Sequence, residues 1–209
     1  GNARAVLDDP AVTIPAREAG FLLVAPDGLG GTWSHVGSPS QTRDDIAFLR
    51  AVVADVRDRW PIDPHQVVAS GFSQGGSMVW DLACHGGDGF TAFLPFAGGF
   101  WEPLPKSCPS GPVALRHVHG RSDVVVPMAG RTIRGIFRQG DILAGFAVWR
   151  AHDHCSGGLT VPVERGALSC EEFPGCASGR LLLCLHPGGH EMDAAWLADG
   201  LAWTRGLTR

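Results

Sequence analysis

The stretch Gly71-Phe72-Ser73-Gln74-Gly75 sets one serine between two glycines. An apolar, strand-like run over 66–72 leads into it, and a helical pattern over 75–84 follows at once. A free serine hydroxyl is a poor nucleophile. It becomes a good one when a turn exposes it and an adjacent base takes its proton. G-x-S-x-G in a strand–turn–helix context describes such a turn. The serine sits at strained backbone angles, and flanking side chains larger than hydrogen are expected to collide. The turn also aims the helix N-terminus at the reacting centre, where the N–H of Gln74 can face a developing oxyanion.

A nucleophilic serine needs a base, and the base needs an acid to orient it. With this kind of turn the chain order is Ser, then Asp or Glu, then His, each just beyond a strand end. His119-Gly120-Arg121-Ser122-Asp123 follows a strand-like run over 113–118, and His186-Pro187-Gly188-Gly189-His190 follows another over 181–186. Asp123 is the candidate acid and His190 the candidate base. His119 lies close to Asp123 and reads as part of the strand-end turn. His186 is an alternative base, but it falls within the strand. His152, His154, Cys155, His186 and His190 could instead hold a metal through His-x-His spacing, though no carboxylate-rich second cluster accompanies them. Asp44 and Asp45 read as helix N-terminal charges. Trp33, Phe100 and Trp101 fall in loops beside the candidate site, and Trp33 and Trp101 are candidates for facing a substrate.

The elements that must carry these residues alternate. Residues 21–26 (FLLVAP) form a short apolar run of the kind a buried parallel strand shows. Residues 44–60 have helical apolar spacing at Ile46, Phe48, Leu49, Val52, Val53 and Val56, and Pro61 closes them. Strands are expected at 66–72, 90–96, 113–118 and 181–186, and helices at 75–84 and 194–204. Residues 129–154 read as a helix broken or bent near Gly140, and 159–176 as an irregular or hairpin insertion. Strands alternating with helices predict an α/β fold, a mostly parallel sheet covered on both faces. No repeat, linker or low-complexity segment divides the 209 residues, so one domain is expected.

The bulk properties narrow the partners. A net charge of −4 without a basic run gives no nucleic-acid surface. No apolar run approaches the roughly 20 residues that span a bilayer. Six cysteines, none in a C-x-x-C pair, fit disulfides and an oxidising compartment better than a zinc ribbon or a redox motif. Buried apolar cysteine is the other reading, above all for Cys184 within LLLCL. The protein is therefore expected to be secreted or periplasmic. Its oligomeric state stays open.

Taken together, "PDG", "DDIAFLRAVV", "RWPIDPHQVVASGFSQGG", "HVHGRSDVVVP", "VWRAHDHC" and "HPGGH" resemble the α/β-hydrolases of the polyhydroxybutyrate depolymerase and feruloyl esterase group, nearly end to end. The resemblance implies Ser73 as nucleophile, Asp123 as acid, His190 as base and the Gln74 N–H in the oxyanion hole. It implies a serine esterase acting through an acyl-enzyme on small or polymeric esters, hydroxyalkanoate, feruloyl or short-chain, with no metal or organic cofactor. A non-catalytic binding module of the same fold and an acyltransferase with the same triad are the alternatives. The resemblance also implies loop disulfides: Cys155–Cys176 at a family position, Cys84–Cys108 as a second pair and Cys170–Cys184 as the third. After His190 the chain departs from the group, with Glu191-Met192-Asp193 where Trp-Pro often stands. The group's first core strand and a His-Gly loop donating a second oxyanion N–H are expected upstream of Gly1, with Gly1-Asn2 as the tail of that loop. The domain is in that sense expected to be N-terminally incomplete.

Overall fold

The computed structural model describes residues 2–207. Two short helices come first, α1 (Ala3–Leu7) and α2 (Pro10–Glu18). Asn2 and Asp9 cap them by accepting backbone N–H groups, and Pro10 occupies the first turn of α2, where a missing N–H is tolerated. The expectation for Gly1-Asn2 falls partly outside the described residues; Asn2 itself is the α1 cap. Helix α3 (Asp45–Arg59) leads to strand β1 (Val68–Phe72), helix α4 (Gln74–Gly86) and strand β2 (Ala92–Phe96). Strand β3 (Ala114–Gly120) precedes a small hairpin, β4 (Arg131–Ile133) with β5 (Phe137–Gln139), and then helix α5 (Ile142–His152). A second hairpin, β6 (Val163–Arg165) and β7 (Leu168–Phe173), is followed by β8 (Arg180–His186) and α6 (Ala194–Thr204).

Six strands form the main sheet in the order β1-β2-β3-β8-β7-β6. The pairs β1–β2, β2–β3 and β3–β8 are parallel, and the second hairpin adds β7 and β6 antiparallel beyond β8. Every residue of β2 is buried and β3 nearly so, as strands covered on both faces must be. Trp80 of α4, Phe100, and Phe146 and Trp149 of α5 pack one face as a cluster of tilted and edge-on rings. On the other face Leu197 and Leu201 of α6 cover Leu94, Phe96 and Val118, with Val12 of α2 packed beside them. Arg116 of β3 also lies on that side, wholly buried, its guanidinium bonded to Asp199 of α6 at 2.5 Å. A buried charge persists only with such a partner.

Two expectations about elements change. Residues 21–26 are not a strand: Leu22 and Val24 are exposed and the segment pairs with no strand among the described residues. An apolar run becomes β-structure only where a ladder partner lies alongside. Residues 129–154 break near Gly140 as expected, but the first half is the β4–β5 hairpin, and only 142–152 is helical. Gly130 and Gly135, at φ 68° and 75°, supply left-handed turns that a continuous helix could not use. The insertion over 159–176 is a hairpin. Asp44 caps α3 through Ala47 N–H, whereas Asp45 turns inward to accept from Ser34 N–H and Arg43 Nε.

All six cysteines are paired: Cys84–Cys108, Cys155–Cys176 and Cys170–Cys184. The first ties α4 to the loop after β2, the second the end of α5 to the loop before β8, and the third joins directly opposite residues of β7 and β8. Loops closed over 24, 21 and 14 residues each stabilise by about 3 kcal/mol in the chain-entropy view. Three bridges fit an extracellular protein. No helix among the described residues is long and apolar enough to cross a membrane.

Beside the second bridge, Asp153 accepts Val113 N–H at 3.2 Å and is fully buried. Burial pushes its carboxyl up from 3.8 to about 6, against the opposing pull of the Val113 bond, His152 and His154. A raised folded value means that its contribution to stability is complete below about pH 4 and is lost as pH rises through 6. Asp153→Asn keeps the acceptor for Val113 and cannot ionise. Relative to the native protein, its Tm should improve by on the order of 5 °C between pH 4 and pH 7. Parallel melts at the two pH values measure this. An unchanged difference would mean that the Asp153 carboxyl binds its proton equally well in the folded and unfolded chains.

Candidate active site

Ser73 is the single residue between β1 and α4, with φ 58° and ψ −119°. A non-glycine residue with positive φ is strained and persists only where its surroundings enforce it. They do so here. A Cβ at Gly71 would lie 2.4 Å from the backbone of Gly75, so the chain can fold back on itself only with glycine there. Ser73 N–H donates to Phe96 O of β2, and Ser77 N–H to Ser73 O. Gly75 is different from the expectation: a Cβ there meets nothing within 4 Å, so only the first glycine of the motif is sterically required. Gln74 N–H is among the first-turn donors that have no partner within a helix.

Asp123 follows β3 and His190 follows β8, and the two strands are paired through Gly120 opposite His186. The turns beyond them interlock: Arg121 N–H donates to His186 O, Ser122 N–H to Gly188 O, and Ser122 Oγ to Pro187 O. Gly120 lets the turns meet, since a Cβ there would lie 2.1 Å from Gly189 O. The result brings together three residues distant in sequence. His190 Nδ1 donates to Asp123 Oδ2 at 2.7 Å, and Ser73 Oγ lies 2.9 Å from His190 Nε2. Asp123 Oδ1 accepts from Val125 and Val126 N–H, each at 2.8 Å. Burial alone would raise the Asp123 carboxyl, but the bonds from His190, Val126 and Val125 outweigh it and hold the group below its ordinary value. A hydroxyl bonded to an imidazole whose far nitrogen is bonded to an ionised carboxylate can attack a carbonyl carbon.

The other candidates fall elsewhere. His119 is wholly buried, bonded to Val126 O at 2.7 Å and 3.6 Å from Asp123 Oδ2. His186 is buried against Trp196, with ring centroids 4.2 Å apart, and accepts Gly188 N–H. His152 bonds Gly111 O and Cys155 is in a disulfide; no cluster able to hold a metal occurs among the described residues. Trp101 is buried, bridges to Gln139 and lines a cavity of about 210 Å³ with Asp81, His85 and Phe100. Asp81 and His85 lie two and three turns along α4 from Ser73, so that cavity opens along the helix from the serine. Half-buried Trp33 lies beside Gly28, one residue after Thr32, whose hydroxyl donates to Gln74 Oε1 at 2.9 Å. Sequence reasoning missed Phe72, whose ring packs 4.7 Å from that of His190, and Thr32. The place of Phe72 beside the nucleophile was a signal for the first; nothing local marks the second.

No family model matches the chain. "Probable feruloyl esterase C" of Aspergillus flavus is 32% identical over 209 residues, covering 96% of this chain and 69% of that one. Feruloyl esterase C of Emericella nidulans is 34% identical over 124 residues, 58% of this chain and 43% of that one. The chain spans about half the length of the curated relatives it matches. Acetyl xylan esterase from Aspergillus awamori superposes with a TM-score of 0.64 at 12% identity, over all of this chain and 85% of that one. A variant of SOBER1 from Arabidopsis thaliana gives 0.63 at 14% identity, over all of this chain and 95% of that one. At those identities the likeness is one of fold, the α/β-hydrolase sheet. With nearly its whole length aligned at 32% identity, the chain belongs to the feruloyl esterase C family.

Proposed function

We propose that this protein is a serine carboxylic-ester hydrolase working through an acyl-enzyme. The observation that carries the reading is the unbroken contact from Asp123 through His190 to Ser73, at 2.7 and 2.9 Å, with Ser73 held at a strained elbow. In this reading the Ser73 hydroxyl gives its proton to His190 Nε2 while Oγ attacks the ester carbonyl carbon. The oxyanion faces Gln74 N–H, and the His190 imidazolium is stabilised by ionised Asp123. His190 then protonates the departing alkoxide, leaving acyl-Ser73. Water repeats the sequence from the other side: it loses a proton to His190, attacks the acyl carbon, and the carboxylic acid departs as Ser73 recovers its proton.

For the substrate we propose feruloyl, short-chain or hydroxyalkanoate esters, supported by the family and by an elbow open enough to leave Phe72 and Gln74 exposed at the surface. The three disulfides support a secreted or periplasmic protein.

Ser73→Ala should fold normally and lower kcat/KM on p-nitrophenyl acetate by roughly 10⁴-fold or more. A serine-directed phosphonate should label Ser73 in the native protein and nothing in the variant. An alanine variant that keeps a tenth of native activity would sink the assignment. Assayed in parallel, p-nitrophenyl butyrate, methyl ferulate and hydroxybutyrate oligomers would rank the acyl groups.

The pH profile tests His190. Its ring must be neutral to accept the serine proton, so kcat/KM should fall on acidification as the base is lost. Asp123, held below the ordinary carboxylate value, stays ionised throughout that fall. A rate that is level from neutral far into acid would rule out a histidine base.

A further inference from the structure

Behind the candidate triad, β3 carries two histidines on one face, His117 and His119, both with no solvent exposure. Their rings are 5.1 Å apart, and His117 Nε2 lies 2.9 Å from His119 Nδ1. At one end of the pair Trp80 Nε1 donates to His117 Nδ1 at 3.3 Å. At the other, His119 Nε2 meets Val126 O at 2.7 Å. An indole N–H can only donate and a carbonyl can only accept. All three bonds are made together in one arrangement of protons, with Pro95 O as a further acceptor beside His117. In that arrangement His117 accepts on Nδ1 and carries hydrogen on Nε2, and His119 accepts on Nδ1 and donates from Nε2, so each ring is neutral. Burial favours the same state, pushing both imidazoles below their ordinary value despite bonds to backbone carbonyls.

The relay closes a circuit. Trp80 stands on α4 about two turns from Ser73. Val126, where the relay ends, donates its own N–H to Asp123 Oδ1, and Asp123 Oδ2 accepts from His190, which faces Ser73. We infer that His119 is a positioning residue: through the directed relay Trp80–His117–His119–Val126 it braces the Asp123 turn against the nucleophile's own helix. The inference rests on the serine-hydrolase reading above. A network with every member satisfied is stiff as well as stable. What it stiffens is the aim of Asp123 at His190, on which the orientation of the base depends.

Nitrogen-15 NMR of the histidine rings in the unaltered protein is the first test. His117 and His119 should both show hydrogen on Nε2 and be neutral at pH 7. An Nδ1–H tautomer, or a charged ring at neutral pH, overturns the relay whether or not the protein cleaves esters. The second test is His119→Leu, which should lower kcat on p-nitrophenyl acetate by about 100-fold, the scale of a misplaced catalytic group. KM should be little changed, and the acid limb of kcat/KM should move. His119→Gln can accept from His117 through Oε1 and donate to Val126 O through Nε2, and should recover most of the lost kcat. If the leucine variant keeps native kcat and its native acid limb, or if glutamine recovers nothing, His119 is only core and the inference fails. Should His119→Leu not fold, Trp80→Phe removes the donor that fixes the first tautomer. His117 should then show mixed tautomers with a lower kcat, and an unaltered tautomer and kcat would overturn the relay. Failure of phosphonate to label Ser73 in the native protein is a separate result, which sinks the triad and leaves the NMR outcome standing.

Discussion

Strand β1 must hand over to helix α4 through one residue, and the positive φ of Ser73 is what that handover requires. Such strain costs about 1–3 kcal/mol and lasts only where neighbours over-determine it. The glycine-only contact of Gly71 with the Gly75 backbone closes the turn, and Phe96 O of β2 holds Ser73 N–H. Strand β2 is fastened in turn, Ala97 N–H donating to Val118 O of β3. Strand β3 is paired with β8 along its full length. Asp123 and His190 are thus set at their distances from Ser73 by a run of neighbouring parallel strands rather than by contacts at the surface. The burial of α4 from Gly76 to Cys84 offsets the local strain.

Strand β3 is an unusual centre for such a sheet, since Arg116, His117 and His119 are all fully buried on it. Each finds its partners only on its own face: Arg116 in Asp199 of α6, and the histidines in Trp80 and the Val126 turn. A slip of one residue would send the guanidinium among aromatic rings and the imidazoles toward α6. Apolar strands such as β2 tolerate neighbouring registers far better. The polar core therefore fixes β3, and with it the height at which the Asp123 turn leaves the sheet.

What could be read from the sequence was local or periodic. The elbow is a five-residue signal, and Asp123 and His190 could be placed because each follows an apolar strand. The helix at 194–204 and the strand at 181–186 were clear in outline for the same reason. Partnership was not legible. Residues 21–26 have a strand's composition, but composition does not reveal whether a ladder lies alongside. Residues 129–139 carry enough apolar residues for a helix, and left-handed backbone at Gly130, Arg134 and Gly135 makes them a hairpin instead. Gly75 looked as necessary as Gly71, yet which of two glycines faces backbone depends on the path of the helix. His119 looked like turn punctuation because the relay that engages it begins at Trp80, on another element, and reaches it only through His117.

Helix α2 packs against α6, and Arg205 reaches back to Ala19 O at 2.7 Å. Residues 10–18 thus rest on residues made about 180 positions later in the chain. At ribosomal rates of about 5–20 residues per second, α2 waits roughly 9–35 s for its partner to exist. Val12 and Phe21, which pack on the α6 cluster, are bare for that interval. They form a sticky stretch that stays open to solvent until α6 has been made.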